Sequence, residues 1–155
     1  MAALGGAVAF IGLNVAISVQ AWQAPSRDAP YAVPDRIFAS PQPIAFWRRD
    51  MVWRQHGTMT FGEYDPLRRL SGLTSFGRSV PDHMEEPLVR RAAQATPEVR
   101  KFLAWSQMPV AVIEPQGCAA NVTFGDARYS GPTLSRNFNV SVTVPTNAPD
   151  CPPPG

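Results

Sequence analysis

The sequence predicts an α+β protein: an N-terminal transmembrane helix, then an antiparallel β-sheet domain with a short helical hairpin packed on it. Three observations predict this class. The first charged side chain is that of Arg27, so the chain opens with a long uncharged segment. Residues 47–64 alternate apolar and polar side chains in two runs, which is typical of half-buried strands. Between residues 87 and 107, apolar residues recur at helical spacing instead.

The opening segment, "MAALGGAVAFIGLNVAISVQAW", is interrupted only by Asn14, Ser18 and Gln20. About 20 such residues cross a hydrocarbon core as a helix. Residues 1–24 are therefore predicted to be a transmembrane helix, with Trp22 at the membrane interface. A signal peptide would begin with basic residues, which this segment does not. A buried core helix is the third interpretation of the same pattern.

Small residues lie along one side of this helix at Gly5, Gly6, Ala9 and Gly12. A small-residue face allows a second helix to approach closely in a membrane. The predicted partners are therefore the membrane and further membrane helices, from the same or a neighbouring protein.

The rest of the chain divides by its proline content, since many of its 17 prolines lie in residues 24–43 or after residue 144. Residues 25–34 are predicted to form a Pro-rich linker, because prolines at this density prevent a stable helix. Residues 35–146 form the extramembrane α+β domain, and residues 147–155 form a Pro-rich tail.

The stretch "FWRRDMVWRQHG" (residues 46–57) combines aromatic and basic residues, and therefore raises the question of nucleic-acid binding. Counting by two places Trp47, Met51 and Trp53 on one face, while most basic residues lie on the other. A binding platform would present both kinds together. This stretch is therefore predicted to be a structural strand that turns at His56–Gly57, and no nucleic-acid partner is expected. The net charge of only +2 favours the same conclusion.

Further elements follow from local signals. Thr96 is a predicted N-cap with Pro97 in the first helical position. "VAVIE" (residues 110–114) is predicted to be a strand buried on both faces. "CAANVTFGDARYS" (residues 118–130) and "NFNVSVTVP" (residues 137–145) are predicted to be two strands connected by a turn near Gly131–Pro132.

No catalytic, cofactor-binding or metal-binding residue is predicted in this chain. The two histidines, His56 and His83, lie in predicted loops and are expected to be solvated. Two cysteines and two histidines that are far apart in sequence do not resemble a zinc site. No serine lies in a nucleophile-elbow sequence, and no glycine pair matches a phosphate loop.

Three phrases, "ASPQPIAFWRRDMVWRQHGTMTFGEYDPL", "VRKFLAWSQMPVAVIE" and "GCAANVTFGDARYS", together resemble the C-terminal half of a bacterial family. These are the membrane-bound metal-dependent hydrolases, also described as LexA-binding and inner-membrane hydrolase-related. The resemblance covers roughly residues 3–146. It implies a divalent metal held by His and Asp motifs in an N-terminal bundle of membrane helices. Those motifs are absent here, and the chain is expected to begin at the last membrane helix of the family.

This resemblance implies a membrane-anchored C-terminal accessory domain of a metal-dependent-hydrolase-like protein, catalytically incomplete by itself. Two alternatives stay open. One is a stand-alone membrane-anchored binding module. The other is a hydrolase whose site is not recognisable from sequence and is assembled from scattered residues such as His56, Glu63, Asp65 and Arg128. Whether the chain is itself an enzyme is therefore left open.

Cys118 and Cys151 are predicted to form a disulfide. In a hairpin that turns near Gly131–Pro132, residue 118 pairs with a residue near 146, so Cys151 lies within bridging distance. Such a bond persists only in an oxidising compartment. Arg27 and Arg36 follow the helix while no basic residue precedes it, which favours the cytoplasm instead. Because the helices that would set orientation are expected to be missing, a single-pass inner-membrane protein with a periplasmic domain is preferred.

Overall fold

The computed structural model describes residues 2–27, 34–68, 73–75, 79–130, 138–146 and 151. It confirms the α+β class, with a long N-terminal apolar helix, antiparallel sheets, and a pair of short helices packed on strands. Two sheets are present where the sequence predicted one. The chain divides into two compact units, Met1–Val80 and Pro81–Gly155, and each has its own core.

The first unit begins with helix α1 (Ala2–Arg27). The helix continues three residues beyond the predicted end at residue 24 and includes Pro25, which was expected to start a linker. Arg27 donates a hydrogen bond to Gln23 one turn earlier, within the same helix. Residues 28–33 of the predicted linker lie outside the described residues. Among the described helices, α1 is long and apolar enough to cross a membrane, a property that signal sequences and core helices share.

The first sheet contains β1 (Arg36–Pro41), β2 (Arg49–Gln55), β3 (Thr58–Tyr64) and β4 (Leu73–Ser75), antiparallel and in that order. A two-residue strand, β5 (Val80–Pro81), also pairs with β3 and falls where this unit ends. The predicted hairpin of β2 and β3 is confirmed. Its turn residues His56 (φ 49°) and Gly57 (φ 72°) both have positive φ, as a tight two-residue hairpin turn requires.

The core of this unit lies between α1 and the sheet. Met51, Trp53 and Tyr64 are buried there against the side of α1 that carries Ile17 and Ala21. The face of β2 predicted to be apolar is therefore the buried face. The opposite face is less exposed than predicted, because Val52 is also buried.

The second unit contains α2 (Pro87–Ala95), α3 (Pro97–Trp105), β6 (Pro109–Gln116), β7 (Ala119–Asp126), α4 (Ala127–Ser130) and β8 (Asn139–Pro145). The strands form an antiparallel sheet in the order β6-β7-β8. The Thr96 hydroxyl accepts a hydrogen bond from the Val99 amide at 3.3 Å, so the predicted N-cap of α3 is confirmed.

The core of the second unit is built by α2, α3 and one face of this sheet, and its buried members include Val89, Val99, Val122 and Phe124. Two details differ from prediction. β6 is an edge strand with Val112 39% exposed, so it is not buried on both faces. The segment "ARYS" forms the short helix α4 rather than the end of a strand. The predicted turn at residues 131–132 lies outside the described residues.

Candidate functional site

A buried arginine joins α1 to the first sheet. Arg49 opens β2 and is only 1% exposed. Its Nε donates to Ser18 Oγ at 3.2 Å, and Nη1 donates to the carbonyls of Phe46 and Arg48. Nη2 donates to both the carbonyl and the side-chain oxygen of Asn14, at 3.1 Å each. Because a guanidinium has five N–H groups, these five bonds use its full donor capacity.

The acceptors around Arg49 are all neutral. Within the described part of the chain, no carboxylate forms an ion pair with Arg49. Burial lowers the pKa of Arg49 from its ordinary value, but a guanidinium stays charged at neutral pH. The carbonyl and hydroxyl dipoles of α1 and of the preceding backbone therefore stabilise this charge, and the position of α1 on the sheet depends on it.

A second polar contact lies further along the same helix. The Tyr64 hydroxyl donates to Gln20 Oε1 at 3.0 Å. Burial raises the pKa of Tyr64, an effect that the Arg27 charge opposes and the Asp65 charge reinforces. Asn14, Ser18 and Gln20, which interrupt the apolar segment, all bond to sheet residues.

The outward side of α1 is apolar. Exposed large side chains recur every three or four residues and therefore share one face: Leu4, Val8, Ile11, Val15, Val19 and Trp22. A cavity of about 440 Å³ opens beside this face. The cavity is lined by apolar side chains of α1, including Phe10 and Trp22, and by Pro41 of β1. Its polar lining residues are Asn14, Ser18 and Arg49.

The second unit contains a buried carboxylate at the end of β7. Asp126 is fully buried and forms an ion pair with Arg128 Nε at 2.8 Å. It also accepts from the Ser106 hydroxyl at 2.7 Å and from the Gln107 amide at 3.0 Å. Burial alone would raise the pKa of Asp126, but the hydrogen bonds from Arg128, Ser106 and the backbone outweigh it and lower the pKa to about 2. A carboxylate held so firmly in its ionised form is suited to a structural role, not to proton transfer at neutral pH.

Aromatic rings surround the guanidinium of Arg128. Its Cζ lies 5.3 Å from the ring centroid of Trp105 and 4.9 Å from that of Tyr129. The Trp105 and Tyr129 rings are stacked at 5.9 Å, and Phe138 lies 5.1 Å beyond Tyr129. All three rings are about half exposed. We call this group, Trp105, Tyr129 and Phe138, the aromatic cluster.

Within the first unit, the scattered residues of the possible enzyme site, His56, Glu63 and Asp65, do not form one constellation. His56 lies exposed at the hairpin turn, whereas Glu63 and Asp65 lie at and beyond the far end of β3. Asp65 pairs with Arg48 at 3.0 Å and Glu63 pairs with Arg68 at 3.5 Å. Arg128 belongs to the second unit, where it pairs with Asp126.

The other histidine also has a local partner, since His83 contacts Glu86 at 2.5 Å on the surface. Across the described ranges, no group of three or more His, Cys, Asp or Glu side chains is arranged to hold a metal ion.

Cys118 and Cys151 form a disulfide, with 5.4 Å between their Cα atoms. β7 and β8 pair Ala119 with Pro145, and the Thr146 amide donates to the Cys118 carbonyl at 2.9 Å. This is the register that the sequence predicted for residue 118. The bond holds Cys151 against the end of the sheet opposite Asp126.

Sequence reasoning missed the buried polar sites at Arg49 and Asp126. By the period of two, Arg49 falls on the same face of β2 as Trp47, Met51 and Trp53, which is the face predicted to be apolar. The period-2 pattern could have identified Arg49, because a charge on the apolar face of a strand has to be buried with partners.

Comparison with known proteins gives no match: no family model, no curated protein and no solved structure is significantly similar to this chain.

Proposed function

We propose that this protein is a membrane-anchored accessory domain of a metal-dependent-hydrolase-like inner-membrane protein, and that α1 is its anchor. One observation carries the anchoring role. Asn14, Ser18 and Gln20 point to the sheet and are hydrogen-bonded, while the outward face of α1 is apolar. Lipid requires this arrangement, since a polar group that faces hydrocarbon has no water to bond.

By length alone, α1 fits a single crossing, but Ile17, Ala21 and Ala24 pack on the first sheet, so only the outward face of the helix is available to lipid. The 26 residues of α1 give a helix about 39 Å long, compared with a hydrocarbon core of roughly 30 Å. The proposed location is the bacterial inner membrane. The Cys118–Cys151 bond supports a periplasmic position for the folded units, because disulfides persist in oxidising compartments.

The accessory role rests on the sequence resemblance and on how the polar residues are used. The described carboxylates at Glu63, Asp65 and Asp126 each have a cationic partner. The metal-dependent chemistry implied by the resemblance would belong to another group of membrane helices, which would supply the divalent metal. The small face of α1 supports contact with such helices, since a Cβ added at Gly5, Gly6 or Gly12 would meet no atom within 4 Å.

A second candidate function is a membrane-anchored binding module, and the aromatic cluster favours it. Three adjacent exposed rings on one surface are unusual unless they contact something. The bonds between Arg128 and Asp126 hold the guanidinium next to these rings in a fixed position. An aromatic surface of this kind suits an apolar or planar partner.

A photocrosslinking experiment separates the two candidates. A photoreactive amino acid is placed at Gly6 on the small face of α1, or at Val19 on the lipid-facing side as a control. The accessory role predicts a discrete crosslink from Gly6 to an inner-membrane protein that carries His and Asp motifs, and none from Val19. The binding module would be favoured if neither Gly6 nor Val19 gave a crosslink while a probe at Phe138 did.

A further inference from the structure

The segment that connects β1 to β2 lies beside the proposed anchor. The Phe46 ring contacts the Phe10 ring of α1, with 5.3 Å between centroids, and Trp47 packs edge-on against Phe46 at 5.3 Å. Ile44 is 94% exposed, more than any other large hydrophobic residue among those described. This part of the first unit therefore presents apolar side chains on the surface next to α1.

The chain carries no charge between Arg36 and Arg48. Residues 37–47, "IFASPQPIAFW", contain neither acidic nor basic side chains, and Arg36 and Arg48 flank them. An uncharged stretch of this kind is what a contact with hydrocarbon requires. The nearest charges in the sequence therefore lie at the two ends of this stretch, where Arg48 forms an ion pair with Asp65.

Several polar groups of this segment have hydrogen-bond partners within the protein. Gln42 donates to the carboxylates of Asp50 and Glu63, at 2.7 and 3.3 Å. The Arg48 amide donates to the Ala45 carbonyl at 2.7 Å, and the Phe46 carbonyl accepts from Arg49.

We propose that residues 42–47 form a second membrane contact of the first unit, and that they meet the acyl chains of bilayer lipids beside α1. This inference rests on the proposed anchoring by α1. Because the Phe10 and Phe46 rings are in contact, an insertion of α1 that brings Phe10 into hydrocarbon also brings Phe46 close to it. The two apolar surfaces are continuous through the Phe10–Phe46 contact and through the cavity that Pro41 lines.

Fluorescence quenching at single introduced cysteines tests this contact in the full chain. The variants Ile44→Cys, Val8→Cys and Gln55→Cys are each labelled with an environment-sensitive fluorophore and placed in vesicles of phosphatidylethanolamine and phosphatidylglycerol. Labelling without reductant leaves Cys118 and Cys151 in their disulfide. Val8 reports on the anchor, whereas Gln55 lies beside the hairpin turn at the opposite end of β2. Because Ile44 is almost fully exposed, its replacement removes no core contact.

We expect spin-labelled lipid to quench the labels at Ile44 and Val8 at least several-fold more than the label at Gln55, and aqueous iodide to show the reverse order. Quenching of Ile44 by iodide alone, with Val8 quenched by lipid, would overturn the second contact and leave the anchor intact. Protection of Ile44 from both quenchers would mean that protein covers it, which also overturns the contact. Failure of lipid to quench Val8 would overturn the anchor and this inference together.

Discussion

The Arg49 guanidinium donates hydrogen bonds to both oxygens of Asn14, at 3.1 Å each, and so joins the middle of α1 to a strand 35 positions later in the chain. This contact explains why an otherwise apolar helix contains an asparagine near its centre. It also divides the helix by environment, because the side that carries Asn14 and Ser18 meets the sheet, while the exposed stripe from Leu4 to Val19 is apolar.

We expect Arg49→Met to destabilise the first unit by about 3 kcal/mol or more, since buried acceptors that lose their donor cost roughly 1–3 kcal/mol each. Arg49→Lys should fall between Met and the wild type, because an ammonium supplies three donors instead of five. The matched control is Arg68→Ala, which removes the half-exposed partner of an ion pair with Glu63 and should cost less than about 1 kcal/mol. Denaturant unfolding in detergent measures all three, and equal losses for Arg49→Met and Arg68→Ala would contradict the assigned role.

Two glycines of the first unit should respond oppositely to alanine. A Cβ at Gly62 would lie 2.5 Å from the Thr74 carbonyl oxygen and about 3 Å from the Trp53 ring, so backbone has to move. We expect Gly62→Ala to cost roughly 1–3 kcal/mol, as overpacked sites do. Gly12→Ala meets open space and should be neutral or stabilising by up to about 1 kcal/mol, because alanine favours helix. Thermal unfolding of the two variants in the same detergent checks this, and a stable Gly62→Ala protein would show that β3 and β4 are spaced differently.

The stability of the second unit should depend on acid. The pKa of Asp126 is about 2 in the folded protein, below its ordinary value of 3.8. Its stabilising effect is therefore complete above about pH 5 and is lost as pH falls toward 2. A difference of about two pKa units corresponds to roughly 2–3 kcal/mol.

Asp126→Asn should lower stability at pH 7 by a similar amount and flatten the acid dependence. Glu98→Gln, an exposed change in the same unit, should leave most of that dependence in place. Unfolding free energies measured between pH 7 and pH 2.5 compare the three proteins. A wild-type curve that matches that of Asp126→Asn would refute the structural role of this carboxylate.

The Cys118–Cys151 bond should survive in protein taken directly from membranes. With thiols trapped at lysis, mass spectrometry should find neither cysteine alkylated unless the sample is reduced first. The bond closes a loop of 33 residues, so its reduction should cost about 3–4 kcal/mol in the chain-entropy account. The variant with both cysteines changed to serine provides the reduced reference. Alkylation of both residues without prior reduction would remove the main support for a periplasmic location.

Local signals were sufficient for much of the fold. The alternation in residues 47–64 predicted β2, β3 and their turn, and Thr96 predicted the start of α3. The register of Cys118 with Thr146 also followed from strand length and turn position. These features depend on residues close together in sequence or on one hairpin.

Features that depend on distant contacts were not predicted. The division into two sheets is not encoded in a local pattern, since each strand looks the same whichever sheet it joins. The burial of Arg49 depends on α1, which lies more than thirty positions away, and the burial of Asp126 depends on Ser106 as well as its neighbour Arg128. "VAVIE" resembled a central strand by composition, but an edge strand can carry the same residues when one face is covered by helices. The helical turn of α4 directly follows Asp126. The Asp126 side chain accepts a hydrogen bond from the Arg128 amide at 3.0 Å. A local bond of this kind competes with the extended backbone of a strand.

The anchoring role of α1 is tested most directly by alkaline carbonate extraction. The membranes are taken from cells that express the full chain. We expect the wild-type protein to remain in the membrane pellet and to dissolve only in detergent. Its measured mass should show that residues 2–27 are still present. The double variant Val8→Arg/Ile11→Arg places two charges on the outward face of α1, away from the sheet, and should move to the supernatant while keeping both folded units. Release of the wild-type protein by carbonate, or a mature protein that lacks residues 2–27, would contradict the account.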